Sequence, residues 1–187
     1  MSRLVFNEEE HLYYLDGKLI PNVSTILSAT IFKDKYKGVD LATLERAAKF
    51  GKEVHKAIEF DFPYGLNDLQ FKKFKEWEEI KNNNFIIPLN QEEKVYNEEL
   101  YYCGTYDMIA VVMGVKSMLD IKTTYELDME YLSWQMSFYY YAKQDYEVEK
   151  LYAIWLPKRK KGGLVEVPLK TYQEIEYVIN LYKEMTK

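Results

Sequence analysis

The stretch GTYDMIAVVMGVKSMLDIKT, residues 104–123, contains two apolar runs separated by Gly114. Runs of this length on either side of a glycine turn predict two antiparallel strands that pair as a hairpin. Asp107 precedes the first run, and Asp120 and Lys122 close the second. Because side chains alternate along a strand, Asp120 and Lys122 project from the same face. The hairpin is therefore expected to bring two carboxylates and an ammonium group to one edge of an apolar sheet.

This group of charges predicts a chemical role for the sheet edge. Burying charged groups is unfavourable unless they are paired or bind a metal ion. Asp107 and Asp120 therefore indicate a divalent-metal site suited to hydrolysis, with Lys122 beside it. The alternative is structural: the aspartates could be ordinary strand-end or turn residues, and Lys122 their ion-pair partner.

The composition describes an ordinary folded chain. Its 187 residues are enough for one domain, 1–187, with a core at about 40–157, an N-terminal ribbon at 1–38 and a C-terminal addition at 158–187. The formal net charge of -5 excludes a uniformly basic nucleic-acid coat, although a local basic groove remains compatible with it. Cys103 is the single cysteine, which excludes an internal disulfide framework and multi-cysteine metal sites.

The chain also lacks the usual membrane and export signals in the sequence given. No apolar run approaches the roughly 18 residues that a transmembrane helix requires. The first residues, 1–7, lack the long apolar stretch of a signal peptide. We therefore expect a cytoplasmic protein that does not contact the membrane.

The order of the elements predicts an α/β fold with a mixed sheet. Hydrophobic periodicity, turn residues and capping residues indicate helices and strands in an order that joins helix, three strands, helix and strand. Asp40 is a plausible N-cap, as is Asn22 or Ser24 for a short earlier helix. The expected elements are a ribbon at 3–20, helices at 40–60, 67–82, 128–145 and 170–186, and strands at 85–89, 92–97, 100–113, 115–122, 150–156 and 164–167.

Five short motifs occur in a fixed order along residues 40–157. They are Gly51-Lys52-Glu53-Val54-His55, Glu92-Glu93-Lys94-Val95-Tyr96, Gly104-Thr105-Tyr106-Asp107, Asp120-Ile121-Lys122-Thr123 and Gln135-Met136-Ser137-Phe138-Tyr139. In this order they resemble the motifs of the PD-(D/E)xK nuclease superfamily, and within it the RecB-like, phage-type exonuclease branch. The resemblance implies a restriction-endonuclease-like core of helix, three-stranded meander, helix and strand. We expect two additions to this core, a small N-terminal β-ribbon and a cap over the cleft that is formed by residues 1–38 and the helix at 62–84.

The resemblance also implies roles for the motif residues. Asp107 and Asp120 would bind Mg²⁺ or Mn²⁺, since hard oxygen donors suit these ions. His55, the Ile121 carbonyl and Glu93 would complete the ligand set. Glu92 remains open as the alternative to Glu93, because alternation along a strand allows only one of the two to point inward. Lys122 would orient the attacking water, and apolar neighbours would ease its deprotonation; Gln135 would support the catalytic site.

Two further groups are candidates for contact with nucleic acid. Tyr139 could stack on a base, although core packing is an equally good interpretation. Lys158, Arg159 and Lys160 could contact phosphates, although a solvated turn explains them almost as well.

A zinc site is the less favoured metal alternative. His55 and Glu59 share a helix face, and His11 is the only other histidine. No motif surrounds His11, so the sequence does not favour a zinc hydrolase.

The expected function is a metal-dependent deoxyribonuclease. By resemblance, it would be an exonuclease acting on single strands or duplex ends in recombination, repair or replication. The resemblance is also compatible with an origin in a phage or other virus and with a homo-oligomer. The alternatives are a catalytically silent DNA- or protein-binding module on the same fold and a restriction-type endonuclease.

Overall fold

The computed structural model describes residues 3–8, 10, 12–143 and 147–186. His11 lies outside these residues. Two sheets and five helices make up the described part of the chain. In chain order they are β1 (Leu4–Asn7), β2 (Leu12–Leu15), β3 (Lys18–Ile20), α1 (Val23–Ala29), α2 (Leu41–Glu59), α3 (Asp68–Asn83), β4 (Ile87–Asn97), β5 (Tyr102–Val112), β6 (Val115–Lys122), α4 (Met129–Lys143), β7 (Lys150–Trp155), β8 (Gly163–Val167) and α5 (Tyr172–Met185).

The main sheet is mixed, as the order of elements predicts. Its strand order is β4-β5-β6-β7-β8, and only the β6–β7 pair is parallel. Strands β5 and β6 form the expected hairpin at Met113–Gly114. Both residues have positive φ, 49° and 87°, which a two-residue hairpin turn requires because its twist then matches that of the strands. Helix α4 makes the crossover to β7, as a parallel connection needs.

Helices cover both faces of this sheet. On one face, α2 and α3 pack with alternate residues of β5, β6 and β7 around Val54, Phe74 and Trp77. On the other face, α1, α4 and α5 pack around Ile26, Met136 and Ile175. Helix α3, expected in a cap, is thus part of the layer that lies directly against the sheet. Across the described residues, no helix is long and apolar enough to span a bilayer.

Helix starts follow the predicted caps. The Asp40 side chain accepts a hydrogen bond from the Thr43 N–H at 3.0 Å, and Asn22, rather than Ser24, caps α1. The apolar stripe predicted along α2 is buried only in its second half, where Val54 and Ile58 lie in the core. Leu41 is 68% exposed, because none of the elements described above covers the first turns of this helix.

The strand boundaries differ from expectation at two places. The segment predicted as two strands, 85–89 and 92–97, is a single edge strand, β4, with a register irregularity between Pro88 and Asn90. The N-terminal ribbon has three strands, and the short 18–20 strand follows the Asp16–Gly17 turn. The irregularity in β4 lies beside the site described next.

Candidate active site

The site lies where β5 and β6 separate. Met108 and Leu119 form the last backbone pair between these two strands, and beyond that pair, towards the site, β5 and β6 are no longer paired with each other. The Asp107 carboxylate fills that place by accepting a hydrogen bond from the Ile121 N–H at 2.6 Å. A strand residue directs its N–H and C=O to the same side, so the Ile121 carbonyl also faces towards β5. The side chain of Ile121 is buried on the α2 face of the sheet.

Helix α2 brings a histidine to Asp107. His55 Nδ1 lies 3.5 Å from Asp107 Oδ2, and both side chains are largely covered. One turn earlier, Gly51 passes close to the end of β6, since a Cβ built there would lie 3.1 Å from Thr123 Oγ1. The glycine of the Gly-x-x-x-His motif therefore allows α2 to approach the strand that carries Asp120.

Glu92 completes a cluster with these two residues. Ligand atoms of His55, Glu92 and Asp107 all lie within 4.8 Å of one another. Glu92 sits on β4 between the pairs Gln91–Met108 and Glu93–Tyr106, with φ of 50°. Burial, followed by the charges of Asp107, Glu59 and Asp120, raises the pKa of Glu92 to about 7. The cluster is thus rich in negative charge, and it is partly shielded from water.

The structure corrects the assignment of Glu93 as the metal ligand. Its carboxylate accepts hydrogen bonds from Lys143 at 2.8 Å, from Asn90 at 3.1 Å and from the Tyr106 hydroxyl. Burial would raise the pKa of Glu93, but these donors hold it below its ordinary value. Glu93 therefore faces α4 and already has its own cation. The two glutamates do point to opposite sides, as alternation requires, and Glu92 is the one that faces α2.

Asp120 and Lys122 form the second part of the site, on the α4 side. Asp120 is 3% exposed, and Lys122 Nζ lies 2.5 Å from its Oδ2. Burial raises the pKa of Asp120, with Asp107 adding to the effect, while Lys122 opposes it. Burial would lower the pKa of Lys122, but Asp120 and Asp107 hold it above its ordinary value. The two carboxylates thus favour the charged form of Lys122, whereas its apolar neighbours were expected to ease its deprotonation.

Gln135 and Tyr139 pack beneath this pair. Gln135 Nε2 donates a hydrogen bond to the Tyr139 hydroxyl at 3.1 Å, and buried Gln135 Oε1 has no partner among the described residues. Tyr139 is only 7% exposed, and its ring lies over Gly104, where a Cβ would come within 2.5 Å of Tyr139 Cε1. The prediction that Tyr139 stacks on a base is therefore wrong. Its ring supports the site from below.

The basic loop begins beside Lys122. The Leu156 N–H donates to the Lys122 carbonyl at 2.7 Å, and the chain then runs into Lys158, Arg159 and Lys160. Lys158 Nζ lies 4.1 Å from the centre of the Phe50 ring on α2. These three predicted DNA-contacting residues thus lie at one margin of the site.

A groove on the α4 side was not expected from the sequence. It has a volume of about 460 Å³, and the residues that line it include Lys122, Gln135, Lys35, Tyr36 and Tyr131. Lys35 Nζ lies 4.0 Å from the centre of the Tyr131 ring and is paired with Asp128. Lys35 and Asp128 are 93 positions apart, so no local pattern could have indicated this contact.

The donor groups of the site fit a hard divalent cation. The cluster offers carboxylate oxygens from Glu92 and Asp107 and one imidazole nitrogen from His55, with Asp120 next to it. Oxygen-rich sets with a single imidazole suit Mg²⁺ or Mn²⁺ better than a structural Zn²⁺ site. Glu59, the second residue of the zinc alternative, is not a member of the cluster found among the described residues.

Comparisons with known proteins bear on the fold. No family model matches the chain, and no curated protein matches it. Among solved structures, 13 chains match. One is the crystal structure of SSO0001, with a TM-score of 0.50 and 13% sequence identity over 88% of this chain and 73% of that chain. Similarity at this level of identity shows a shared α/β fold alone.

Proposed function

We propose that this protein is a divalent-metal-dependent nuclease that hydrolyses phosphodiester bonds in DNA. The observation that carries the proposal is the convergence of His55, Glu92 and Asp107 within 4.8 Å, beside the Asp120–Lys122 pair. Three carboxylates, an imidazole and an ammonium group at the end of two paired strands are costly to assemble without a charged ligand. The order of the sequence motifs supports the same assignment.

His55, Glu92, Asp107, Asp120 and the Ile121 carbonyl would hold Mg²⁺ or Mn²⁺. A bound cation of this kind neutralises charge on the phosphoryl group and lowers the pKa of a water molecule. The hydrogen bond from Ile121 N–H fixes the Asp107 carboxylate, so the ligands are held in position before any substrate arrives. Glu92, with a pKa of about 7, would release its proton when a cation binds, and affinity for the metal should therefore rise with pH.

Lys122 is the expected catalytic partner of these ligands. Its ammonium group is held by Asp120 at 2.5 Å, so its position is defined, and it lines the groove that Gln135 also reaches. A protonated lysine there can orient an attacking water and stabilise negative charge on the phosphoryl oxygens. Gln135 and Tyr139 hold this side of the site from below.

DNA is the proposed substrate, and an exonuclease in recombination, repair or replication is the proposed role. An anionic substrate is favoured by the basic residues of the loop after β7, since β7 is paired with the strand that carries Lys122. These residues are Lys158, Arg159 and Lys160. The 30–38 turns border the groove beside Lys122. Their position favours a narrow substrate, such as a single strand or a free end.

The test is a cleavage assay with matched glutamate variants. The wild type, Glu92→Gln and Glu93→Gln would each be incubated with linear single-stranded, linear duplex and closed circular DNA in Mg²⁺, Mn²⁺ or EDTA. We expect the wild type to degrade linear DNA only with metal. Glu92→Gln should lose most of this activity, while Glu93→Gln, changed at the next residue, should keep it.

Three outcomes would contradict the proposal or a part of it. If folded wild-type protein cuts no DNA in either metal, the binding-module alternative is the better one. If Glu92→Gln and Glu93→Gln behave alike, the cluster around Asp107 is not the metal site. Equal cleavage of closed circular and linear DNA would reject the exonuclease assignment and favour an endonuclease.

A further inference from the structure

A basic pocket lies between α3 and the loop that follows β7. Its volume is about 440 Å³, and seven of its nine lining residues are lysine or arginine. Within the described part of the chain, Lys72, Lys158, Arg159 and Lys160 have no carboxylate partner, whereas Lys161 lies 3.7 Å from Glu79. Such a concentration of positive charge is notable in a chain whose formal net charge is -5.

A buried ion pair shapes this pocket. Lys73 and Glu76 on α3 are 2% and 7% exposed, and Lys73 Nζ lies 2.5 Å from Glu76 Oε2. Lys73 also donates to the Lys160 carbonyl at 3.1 Å, and Glu76 accepts a hydrogen bond from the Gly162 N–H. The loop backbone is thus tied to α3 at two points.

Gly162 is required for the path of this loop. A Cβ at that position would lie 1.7 Å from the carbonyl oxygen of Trp155. Trp155 is paired with Lys122 in the parallel β6–β7 ladder. The loop that lines the pocket therefore turns back against β7, the strand that pairs with the strand carrying Lys122.

We propose that this pocket binds phosphates of the nucleic-acid strand on one side of the bond that is cut. The inference rests on the proposed function and extends it to a second contact with the substrate. The ligand is the sugar-phosphate backbone, because seven of the nine residues that line the pocket are cationic and none of the nine is aromatic or aliphatic. Lys72 on α3 and Arg159 on the loop contribute to it together, and the Lys73–Glu76 pair positions the loop.

The test measures binding in EDTA, where the proposed nuclease is inactive. Anisotropy of a labelled single-stranded oligonucleotide would be titrated with wild type, with Lys72→Ala/Arg159→Ala and with a control pair, Lys18→Ala/Lys183→Ala, at several salt concentrations. The control removes two exposed lysines that do not line the pocket. Losing two phosphate contacts should weaken binding on the order of 20-fold at 0.1 M salt and reduce the slope of log affinity against log salt by about 1.4.

The outcomes separate this inference from the proposed function. If the pocket variant and the control pair behave alike, the pocket does not bind the backbone, whatever the cleavage assay shows. If the binding difference is found but the wild type cuts no DNA, the pocket stands and the nuclease proposal fails. Competition by inorganic phosphate or by polyglutamate at equal anion concentration would show a general anion site and overturn the assignment to nucleic acid.

A second variant tests the role of the buried pair. Lys73→Met/Glu76→Leu replaces two buried charges with apolar side chains, a change that proteins often tolerate without loss of stability. Every exposed cation of the pocket remains, but the ties to Lys160 and Gly162 are lost. We expect several-fold weaker oligonucleotide binding and faster tryptic cleavage in the loop. Unchanged affinity with an unchanged tryptic rate would show that the pair does not position the loop.

Discussion

The two sides of the site carry buried charge in different ways. On the α2 side, Glu92 and Asp107 lie together with His55, and the pKa of Glu92 is raised to about 7. On the α4 side, Asp120 is more deeply buried, yet it has a cation of its own, since Lys122 Nζ lies 2.5 Å away. The Ile121 N–H donates to Asp107 at 2.6 Å, so the strand that carries Asp120 and Lys122 also holds the Asp107 carboxylate in place.

This difference separates a side suited to receive a cation from a side that already contains one. A divalent cation beside Glu92 and Asp107 would relieve the repulsion that raises the pKa of Glu92. On the other side, Lys122 already compensates the charge of Asp120, and Asp120 fixes the position of an ammonium group close to the first cluster. Removing charge from the two sides should therefore have opposite effects on the stability of the metal-free protein.

The largest expected effect is a loss of cleavage when either aspartate of the site is changed, and only one of the two changes should also lower stability. Asp107→Asn and Asp120→Asn should each reduce metal-dependent cleavage on the order of 100- to 1,000-fold, because several kcal/mol of charge stabilisation is lost. Only Asp120→Asn should also lower the free energy of unfolding, by about 2–3 kcal/mol, since it leaves the Lys122 ammonium group without its partner. Asparagine at 107 can still accept the Ile121 N–H.

Urea unfolding in EDTA, run beside the cleavage assay, measures both quantities. Equal losses of stability in the two variants would show that the two sides do not differ in the way described. Full cleavage by either variant would remove that aspartate from the catalytic site.

The next effect concerns the support of the α4 side. Gly104→Ala should lower the free energy of unfolding by about 2–3 kcal/mol, because its Cβ would come within 2.5 Å of the buried Tyr139 ring. The matched control is Gly163→Ala, where no atom lies within 4 Å and the change should be within about 0.5 kcal/mol. Thermal or urea unfolding distinguishes them. A loss at Gly104 no greater than at Gly163 would mean that Tyr139 does not pack as described.

Local sequence rules predicted the hairpin that carries the aspartates. Gly114 indicated the turn, the apolar runs on either side of it indicated the strands, and the spacing placed Asp107 and Asp120 at the same edge. Asp40 was likewise recognisable as a helix cap. In each case the information lies within a few neighbouring residues, so one sequence was sufficient.

Contacts between distant segments were not predictable in this way. The choice between Glu92 and Glu93 depends on a positive φ at Glu92 and on the nearby irregularity in β4, neither of which has a sequence signature. The burial of Tyr139 depends on Gly104, which lies 35 positions earlier in the chain (139 − 104). The path of the loop that carries the cations depends on Lys73, which donates a hydrogen bond to the Lys160 carbonyl and lies 87 positions before it. Packing between elements decides these features.

A smaller effect is the dependence of stability on pH at the α2 side. The pKa of folded Glu92, about 7, lies above its ordinary value of 4.5, so the folded state binds more protons between these values. Stability linked to Glu92 is therefore fully present below pH 4.5 and is lost as the pH rises through 7. Allowing for partial exposure and solvent screening, the loss is about 1–2 kcal/mol.

The measurement is urea unfolding in EDTA from pH 4.5 to 8.5 for the wild type and Glu92→Gln. The difference between the two curves isolates Glu92 from other titrating groups. We expect the free energy of unfolding of the variant to increase relative to that of the wild type as the pH rises. Parallel curves would contradict the repulsion inferred for this side.

The smallest expected effect is at the hydroxyl of Tyr139. Tyr139→Phe removes the acceptor for Gln135 Nε2, and the Gln135 Oε1 atom already has no partner among the described residues. A buried amide without partners should lower the free energy of unfolding by about 1 kcal/mol. Tyr140→Phe is the control in the same helix, because the Tyr140 hydroxyl makes no hydrogen bond within the described part of the chain and its loss should leave stability unchanged. If the two variants unfold at the same urea concentration, Gln135 is satisfied in another way, and the α4 side does not depend on this hydrogen bond to hold its shape beneath Lys122.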